Sequence, residues 1–312
     1  MAIVQTDVPM TSALCNQTIA ELARRYPAFR RETLTTTAFG RPVQALIIGE
    51  GDRRVIYSAA HHANEWITTP VLLKFLEELA QAAEARTTLF GVPAENILKA
   101  ATIYAVPMVD PDGVDLVTGA IEQGTLEYET ARTLADNYPT IPFPDGWKAN
   151  LLGVDLNLQY PAGWLRAREI KFSQGFTKPG PRDYVGRAPL NQRESIALAQ
   201  YTQDVDPALV IAFHTQGQVI YWQFQDYVVP GARALAEEFA RLSGYALEDT
   251  PYESSFAGYK DWFIQNWRRP GFTIESGTGE SPLPLSQFDE IYNANLGILV
   301  TGATGLPNSS QT

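Results

Sequence analysis

The sequence is poor in cysteine, in basic residues and in long apolar runs. Its single cysteine, Cys15, can form neither an internal disulfide nor a cysteine-based metal cluster. Asp and Glu number 35 against 24 Lys and Arg, which gives a net charge of −11, and no cluster of Lys and Arg interrupts this acidic balance. Nucleic acid and anionic membranes are therefore poor partners.

No stretch reaches the roughly 18 consecutive apolar residues that a membrane-spanning helix needs. The N-terminus, Met1 to Met10, also lacks the basic segment and apolar run of a secretory signal. We therefore expect no membrane insertion and a cytoplasmic location, although a leader already removed from the chain would leave the same evidence. The 312 residues, 45% hydrophobic and 19% charged, otherwise have the composition of a folded globular protein.

Apolar strand-like segments alternate with amphipathic helical segments, which is typical of an α/β fold. We predict a single domain with a mixed, largely parallel twisted sheet and helices on both of its faces. The predicted strands are Val43 to Ile48, Arg54 to Ala59, Thr102 to Val109, Ala208 to Phe213 and Phe272 to Ile274. The predicted helices are Thr68 to Ala85, Arg193 to Asp204, Gly231 to Leu242 and Leu285 to Val300.

The segment from about Pro111 to Pro189 is dominated by Gly, Pro and polar residues. Long loops inside a compact domain usually build a binding surface or a lid, and that is the role we expect for this segment. No composition change marks a second domain, so the prediction is one domain over residues 1–312.

Two of the three histidines, His61 and His62, are adjacent and follow a predicted strand. Glu65 comes three residues after His62, on the turn that leads into the next helix, and His214 ends another predicted strand. Nitrogen and oxygen ligands suit Zn²⁺, and two closely spaced ligands plus a remote one are typical of a catalytic zinc site with an open position. The His-x-x-Glu spacing alone is equally compatible with histidines that make ordinary hydrogen bonds.

A further carboxylate, Glu275, ends the apolar strand that begins at Phe272. A carboxylate at the end of a buried strand requires a cation, a proton or a hydrogen-bond partner. In open α/β sheets, ligands bind beyond the carboxyl ends of the strands, and four residues lie at such ends: His62, Glu65, His214 and Glu275. These residues are therefore expected to converge on one metal site.

Together these motifs resemble the zinc carboxypeptidase family of metallopeptidases, over about residues 17–305. The resemblance implies that His62, Glu65 and His214 bind Zn²⁺ and that Glu275 is the general base.

Two further segments are similar to substrate-binding parts of that family. Asn157 ends the segment Gly-Val-Asp-Leu-Asn and resembles the family asparagine that helps to bind a substrate carboxylate. Tyr252 resembles the mobile tyrosine that closes over the substrate, with one inserted residue before the Asp-Trp pair at 261–262.

The sequence departs from the family at three basic positions. Leu158 stands where family members bind the terminal carboxylate of the substrate with an arginine, and leucine cannot provide that charged, two-pronged contact. Asn64 replaces a second arginine beside the zinc ligands and is a candidate for substrate binding. Lys148, after Trp147, replaces the arginine that stabilises the oxyanion, and an ammonium can still stabilise a developing negative charge.

The segments 147–164 and 180–184 are similar to one branch of the family, the γ-D-glutamyl-diamino-acid peptidases, which cut bacterial cell-wall peptides. A different way of binding the substrate carboxylate, without an arginine at position 158, is expected for such acidic substrates. Four arginines in the adjoining loops are candidates for the missing contact: Arg166, Arg168, Arg182 and Arg187.

These observations predict a zinc-dependent peptidase that hydrolyses γ-D-glutamyl-meso-diaminopimelate or γ-D-glutamyl-lysine bonds in muropeptides. Glu275 and Lys148 are the predicted catalytic residues, and the partner is a peptide. A general carboxypeptidase or a related zinc amidohydrolase or deacylase is the alternative within enzymes. An alternative of another class is a non-catalytic zinc- or peptide-binding relative, which would be expected to have lost Glu275.

Overall fold

The computed structural model describes residues 2–306, in which strands and helices alternate along most of the chain. The strands are β1 (Arg30–Thr36), β2 (Pro42–Ile48), β3 (Arg53–Ala59), β4 (Thr88–Leu89), β5 (Val92–Pro93), β6 (Ala101–Val106), β7 (Leu209–His214), β8 (Val219–Tyr221), β9 (Ala246–Glu248) and β10 (Gly271–Glu275). The helices are α1 (Ser12–Arg25), α2 (Thr68–Ala85), α3 (Ala94–Ala100), α4 (Pro111–Val117), α5 (Leu126–Ala135), α6 (Trp164–Ser173), α7 (Arg193–Val205), α8 (Ala232–Ser243), α9 (Tyr259–Trp267) and α10 (Phe288–Thr304).

Eight of the strands form one mixed sheet in the order β1-β2-β6-β3-β7-β10-β8-β9. Strands β6, β3, β7 and β10 are parallel neighbours in the middle of the sheet, whereas β1, β2 and β8 introduce antiparallel pairings. The predicted fold class, a single α/β domain with a mixed and mostly parallel sheet, is therefore confirmed. The predicted domain limits at residues 1 and 312 lie outside the described residues.

Side chains alternate between the two faces of the sheet, and each face has its own core. Tyr57 and Ile211 point into a core shared with α1, α2, α3, α8 and α10. Ile56 and Val210, one residue away on the same strands, point into a core shared with α6, α7 and α9. Because the central strands are buried on both faces, they are continuously apolar and were recognisable in the sequence.

Most of the predicted elements are present, with small shifts at their ends. Strand β6 ends at Val106 rather than Val109, and the helix expected from Leu285 begins at Phe288, after a 3₁₀ turn over Leu285–Gln287. Among the helices within residues 2–306, none combines the length and the apolar character needed to cross a membrane.

The expectation of long loops between Pro111 and Pro189 was wrong in part, because α4, α5 and α6 lie there. These helices have only 7, 10 and 10 residues, and Gly113 lies inside the first of them. Gly113 is required by a close approach: a Cβ atom on it would lie 2.6 Å from the carbonyl oxygen of Ala149. Helix α4 thus packs directly against the segment that carries Lys148.

Candidate metal centre and its cleft

The candidate metal ligands lie where adjacent parallel strands end. Strand β3 pairs with β7, so that Ala59 is opposite Phe213, and β7 pairs with β10, so that His214 is opposite Glu275. A 3₁₀ turn over Ala63–Glu65 follows β3 and leads into α2. The predicted convergence of His62, Glu65, His214 and Glu275 at one edge of the sheet is therefore what the topology produces.

The His62, Glu65 and His214 side chains are in direct contact. Glu65 lies between the two rings, with Oε1 2.9 Å from Nδ1 of His62 and Oε2 2.8 Å from Nδ1 of His214. Glu65 and His214 are almost completely buried, whereas His62 is partly accessible. Of the three side chains, that of His62 therefore lies nearest to solvent.

The donor set fits a zinc ion. Two atoms that each bind tetrahedral zinc at about 2.0–2.1 Å lie roughly 3.3 Å from each other. The Nδ1 atoms of His62 and His214 are 3.3 Å apart. All three residues offer a ligand atom within 4.8 Å of the others. Two imidazoles and one carboxylate would hold Zn²⁺ here and leave a position for substrate or water.

Asp155 orients the His62 ring from the side opposite Glu65. Its Oδ1 lies 3.2 Å from Nε2 of His62, the nitrogen that faces away from Glu65. A carboxylate in this place selects the tautomer that leaves Nδ1 free to bind metal. Sequence reasoning assigned no role to Asp155; the signal was its position two residues before Asn157 in the Gly-Val-Asp-Leu-Asn segment.

Lys148 lies in the segment that packs against α4, and its side chain contacts the metal centre. The Lys148 backbone carbonyl accepts a hydrogen bond from Ala63 N, and its amide donates one to Pro181 O. The Lys148 Nζ atom is 2.8 Å from Oε1 of Glu65. Burial alone would lower the pKa of Lys148, but the Glu65 carboxylate raises it, so the ammonium stays charged.

Glu275 lies on the same edge and faces the same opening. Burial raises the pKa of Glu275, and His214 opposes that rise while Glu65 adds to it. A carboxylate with a raised pKa is a better proton acceptor in catalysis than a fully solvated one.

A cleft of about 220 Å³ opens in front of these groups. Its lining includes His62, Lys148 and Glu275 together with Asn157 and Leu158. The Oδ1 atom of Asn157 accepts a hydrogen bond from Tyr259 N, which holds the side chain in place at the cleft wall. Several of the lining residues come from residues 148–183, so the segment predicted to build a binding surface forms part of the cleft wall, and substrate binding there stays a prediction.

Two buried lysines in the cleft were missed by sequence reasoning. Lys171, on α6, is 2.6 Å from Oδ1 of Asp183, and Lys260, on α9, donates hydrogen bonds to Asp261 and to the carbonyl oxygen of Gln223. Both are almost fully buried, which is rare for lysine. A single lysine within a helical segment does not show in the sequence that it faces a cleft.

Two predicted substrate-binding residues lie outside the lining. Tyr252 is exposed, and its hydroxyl accepts a hydrogen bond from Arg166. Asn64 is buried, and its amide donates to the carbonyl oxygens of Asp145 and Ser281. In this structure Asn64 joins two loops beside the cleft, and the substrate contacts expected of both residues remain predictions.

Of the four candidate arginines, Arg182 lines the cleft. Arg166 is an exposed residue of α6 that pairs with Glu169 and Tyr252. Arg168 and Arg187 are exposed outside the lining. The structure thus singles out Arg182 from a set that the sequence left open.

Comparisons with known proteins agree with this geometry. The family model described as zinc carboxypeptidase matches residues 15–297. Gamma-D-glutamyl-L-diamino acid endopeptidase 1 of Lysinibacillus sphaericus is 44% identical over 284 residues, which cover 91% of this chain and 69% of the relative.

The similar solved structures have the same fold at low sequence identity. Thrombin-activatable fibrinolysis inhibitor superposes with a TM-score of 0.75 at 16% identity, covering 97% of this chain and 76% of that one. Murein-tripeptide amidase MpaA from Escherichia coli O157 gives a TM-score of 0.53 at 18% identity, covering 89% and 93%. With a matching family model over most of its length and a closely related peptidase, the chain belongs to the zinc carboxypeptidase family of metallopeptidases.

Proposed function

We propose that this protein hydrolyses the amide bond between γ-D-glutamate and a diamino acid, meso-diaminopimelate or lysine, in bacterial cell-wall peptides. The observation that carries the proposal is the His62–Glu65–His214 group at the edge of a cleft in which Leu158 replaces the carboxylate-binding arginine of carboxypeptidases. The related endopeptidase bears a name that states this specificity. We assign the activity to a single peptidase domain with its core at residues 17–305.

The proposed mechanism assigns one task to each residue around the metal centre. Zinc held by His62, Glu65 and His214 would polarise the scissile carbonyl and lower the pKa of the attacking water. Glu275 accepts the proton of that water and delivers it to the nitrogen of the departing amine. Lys148 donates a charge-assisted hydrogen bond to the carbonyl oxygen as negative charge develops on it.

The proposed role of Lys148 predicts a loss in turnover rather than in metal binding. Because removal of one oxyanion donor typically costs about 10² to 10³ in rate, Lys148→Ala is expected to lower kcat by that factor. Zinc content, measured by elemental analysis, should stay at the wild-type level. The exposed Lys99 serves as the matched control, and Lys99→Ala should leave kcat unchanged. An unchanged kcat in Lys148→Ala, or a loss of zinc that accounts for the inactivity, would contradict the assignment.

Leu158 predicts the preference between substrates. A free terminal carboxylate placed against this side chain, which is 8% exposed, would be buried without a partner, at a cost of several kcal/mol. We expect kcat/KM for L-Ala-γ-D-Glu-meso-diaminopimelate to exceed that for a blocked dipeptide carboxypeptidase substrate by roughly a hundredfold or more. Leu158→Arg should reduce the ratio of kcat/KM for the muropeptide to kcat/KM for the dipeptide. The volume-conserving Leu158→Met variant, assayed beside it, is the control. A wild-type preference for the dipeptide would contradict the muropeptide assignment and support a general carboxypeptidase.

A zinc deacylase and a non-catalytic zinc-binding protein are distinguished from a muropeptidase by the same assay. The deacylase would cleave an N-acyl substrate and leave both peptides intact. The non-catalytic protein would cleave neither, and the retention of Glu275 in the cleft argues against that class. The proposed function therefore fails if the zinc-loaded protein leaves the muropeptide intact.

A further inference from the structure

Asp183 holds two cations at the cleft wall. Its Oδ1 lies 2.6 Å from Nζ of Lys171, and its Oδ2 accepts a hydrogen bond of 2.8 Å from Nε of Arg182. A second carboxylate, Asp155, lies near both cations and accepts a hydrogen bond from the Asp183 amide. The Lys and Arg residues that line the cleft are balanced in number by its Asp and Glu residues, so Arg182 is distinguished by its position and its exposed guanidinium rather than by a local excess of charge.

The accessible member of this group is Arg182. The Arg182 side chain is 41% exposed, whereas those of Asp183 and Lys171 are 14% and 9% exposed. Within residues 2–306, no hydrogen-bond partner is found for the Nη1 and Nη2 atoms of Arg182. These two atoms form the planar fork that binds a carboxylate through parallel hydrogen bonds.

A chain of hydrogen bonds fixes Arg182 relative to the metal centre. His62 contacts Oδ1 of Asp155, whose Oδ2 accepts a hydrogen bond of 3.2 Å from the backbone amide of Asp183. Asp183 in turn holds the guanidinium of Arg182. A substrate carboxylate on this fork would therefore lie at a set distance from the scissile bond.

We propose that Arg182 is the substrate-carboxylate anchor of this enzyme, with Asp183 and Lys171 as positioning residues. The inference rests on the proposed function and identifies how its acidic substrate is recognised. Because Leu158 removes the usual carboxylate contact and Arg182 supplies another from a different loop, the recognised carboxylate need not be a chain terminus. Two groups of the muropeptide have this chemistry, the carboxyl of D-Glu and the carboxyls of diaminopimelate.

The test compares three substrates on the zinc-loaded full chain. They are L-Ala-γ-D-Glu-meso-diaminopimelate, the same peptide with the D-Glu carboxyl amidated, and the peptide with the diaminopimelate carboxyls amidated. An amide keeps the shape but loses the charge, so wild-type kcat/KM should fall about 10- to 100-fold for the analogue that lacks the anchored carboxylate. The analogue that shows the loss identifies the source of the carboxylate.

The Arg182→Gln variant should lower kcat/KM for the parent peptide by a similar factor, mainly by raising KM. For the analogue that lacks the anchored carboxylate, kcat/KM should be the same in Arg182→Gln as in wild type. Arg182→Lys, which keeps the charge without the fork, should recover part of the loss. Arg168→Gln, at an exposed arginine outside the cleft lining, is the matched control and should match wild type on every substrate.

Equal effects of Arg182→Gln on all three substrates, or no effect on any of them, would contradict the assignment of Arg182 as the carboxylate anchor. The proposed function would still stand if the wild-type protein hydrolysed the parent peptide. Failure of the wild-type protein to cleave the parent would instead overturn the proposed function itself.

Discussion

Glu275→Gln is expected to lower kcat on the muropeptide by about 10² to 10⁴-fold, and by more if the carboxylate also positions the water. The amide has nearly the same shape but cannot accept and release a proton. Glu275 lies at the end of β10, opposite His214, and outside the group that would bind the metal. Zinc content and substrate KM should therefore remain near wild type, as measured by elemental analysis and steady-state kinetics.

The control for this experiment lies five residues further along the same loop. Glu280 is exposed, and Glu280→Gln should be indistinguishable from wild type. If Glu275→Gln retains activity within a few-fold of wild type, the proton passes through another group and the proposed mechanism is wrong.

His214→Ala is expected to remove the metal and, with it, almost all activity. Wild-type protein reconstituted with Zn²⁺ should contain about one zinc per chain, since three ligand groups converge on one point. Loss of a Lewis acid that supplies several kcal/mol to the transition state corresponds to a decrease of roughly 10³-fold or more in rate. His62→Ala should behave in the same way, and chelation of the wild-type protein should abolish activity that added zinc restores.

The adjacent histidine provides a strict control. His61 is fully buried, and its ring stacks on that of His214 at a centroid distance of 5.5 Å, outside the ligand group. Within the described residues, both of its ring nitrogens lack hydrogen-bond partners. His61→Phe should therefore keep zinc and activity. Full zinc occupancy in a folded His214→Ala variant would refute the assigned ligand set.

The metal centre was predictable because its ligands follow strands that are apolar enough to recognise. Strands β3, β7 and β10 are largely buried; His214 and Glu275 end two of them, and His62 follows the third by three residues, so these polar residues stand out in the sequence. Strand β1, with the sequence Arg-Arg-Glu-Thr-Leu-Thr-Thr, was missed because it lies at the sheet edge with most of its residues exposed. It carries no apolar pattern for sequence reasoning to detect.

The cleft was harder to predict, because loops and short helices bring its residues together. Helix α6 supplies Lys171, yet it has little separation of apolar and polar faces, so neither the helix nor its inward lysine was expected. Tyr252 lies on the surface beside Arg166 in this structure, and its closure over a bound substrate stays a prediction. Sequence motifs identify residue types at strand ends, whereas the direction of a loop side chain depends on packing between distant segments.

The separation of the metal ligands along the chain also determines when the site can exist during folding. His62 and His214 are 152 residues apart and meet only after β3 and β7 have paired in parallel. Such nonlocal parallel pairing is slow, because a long loop must close before the contacts form. A partly folded chain offers at most the local His62–Glu65 pair, so high-affinity metal loading must follow completion of the sheet. Zinc binding would then act as a clamp that opposes separation of the two central strands, with the affinity of the ion adding to the stability of the finished fold.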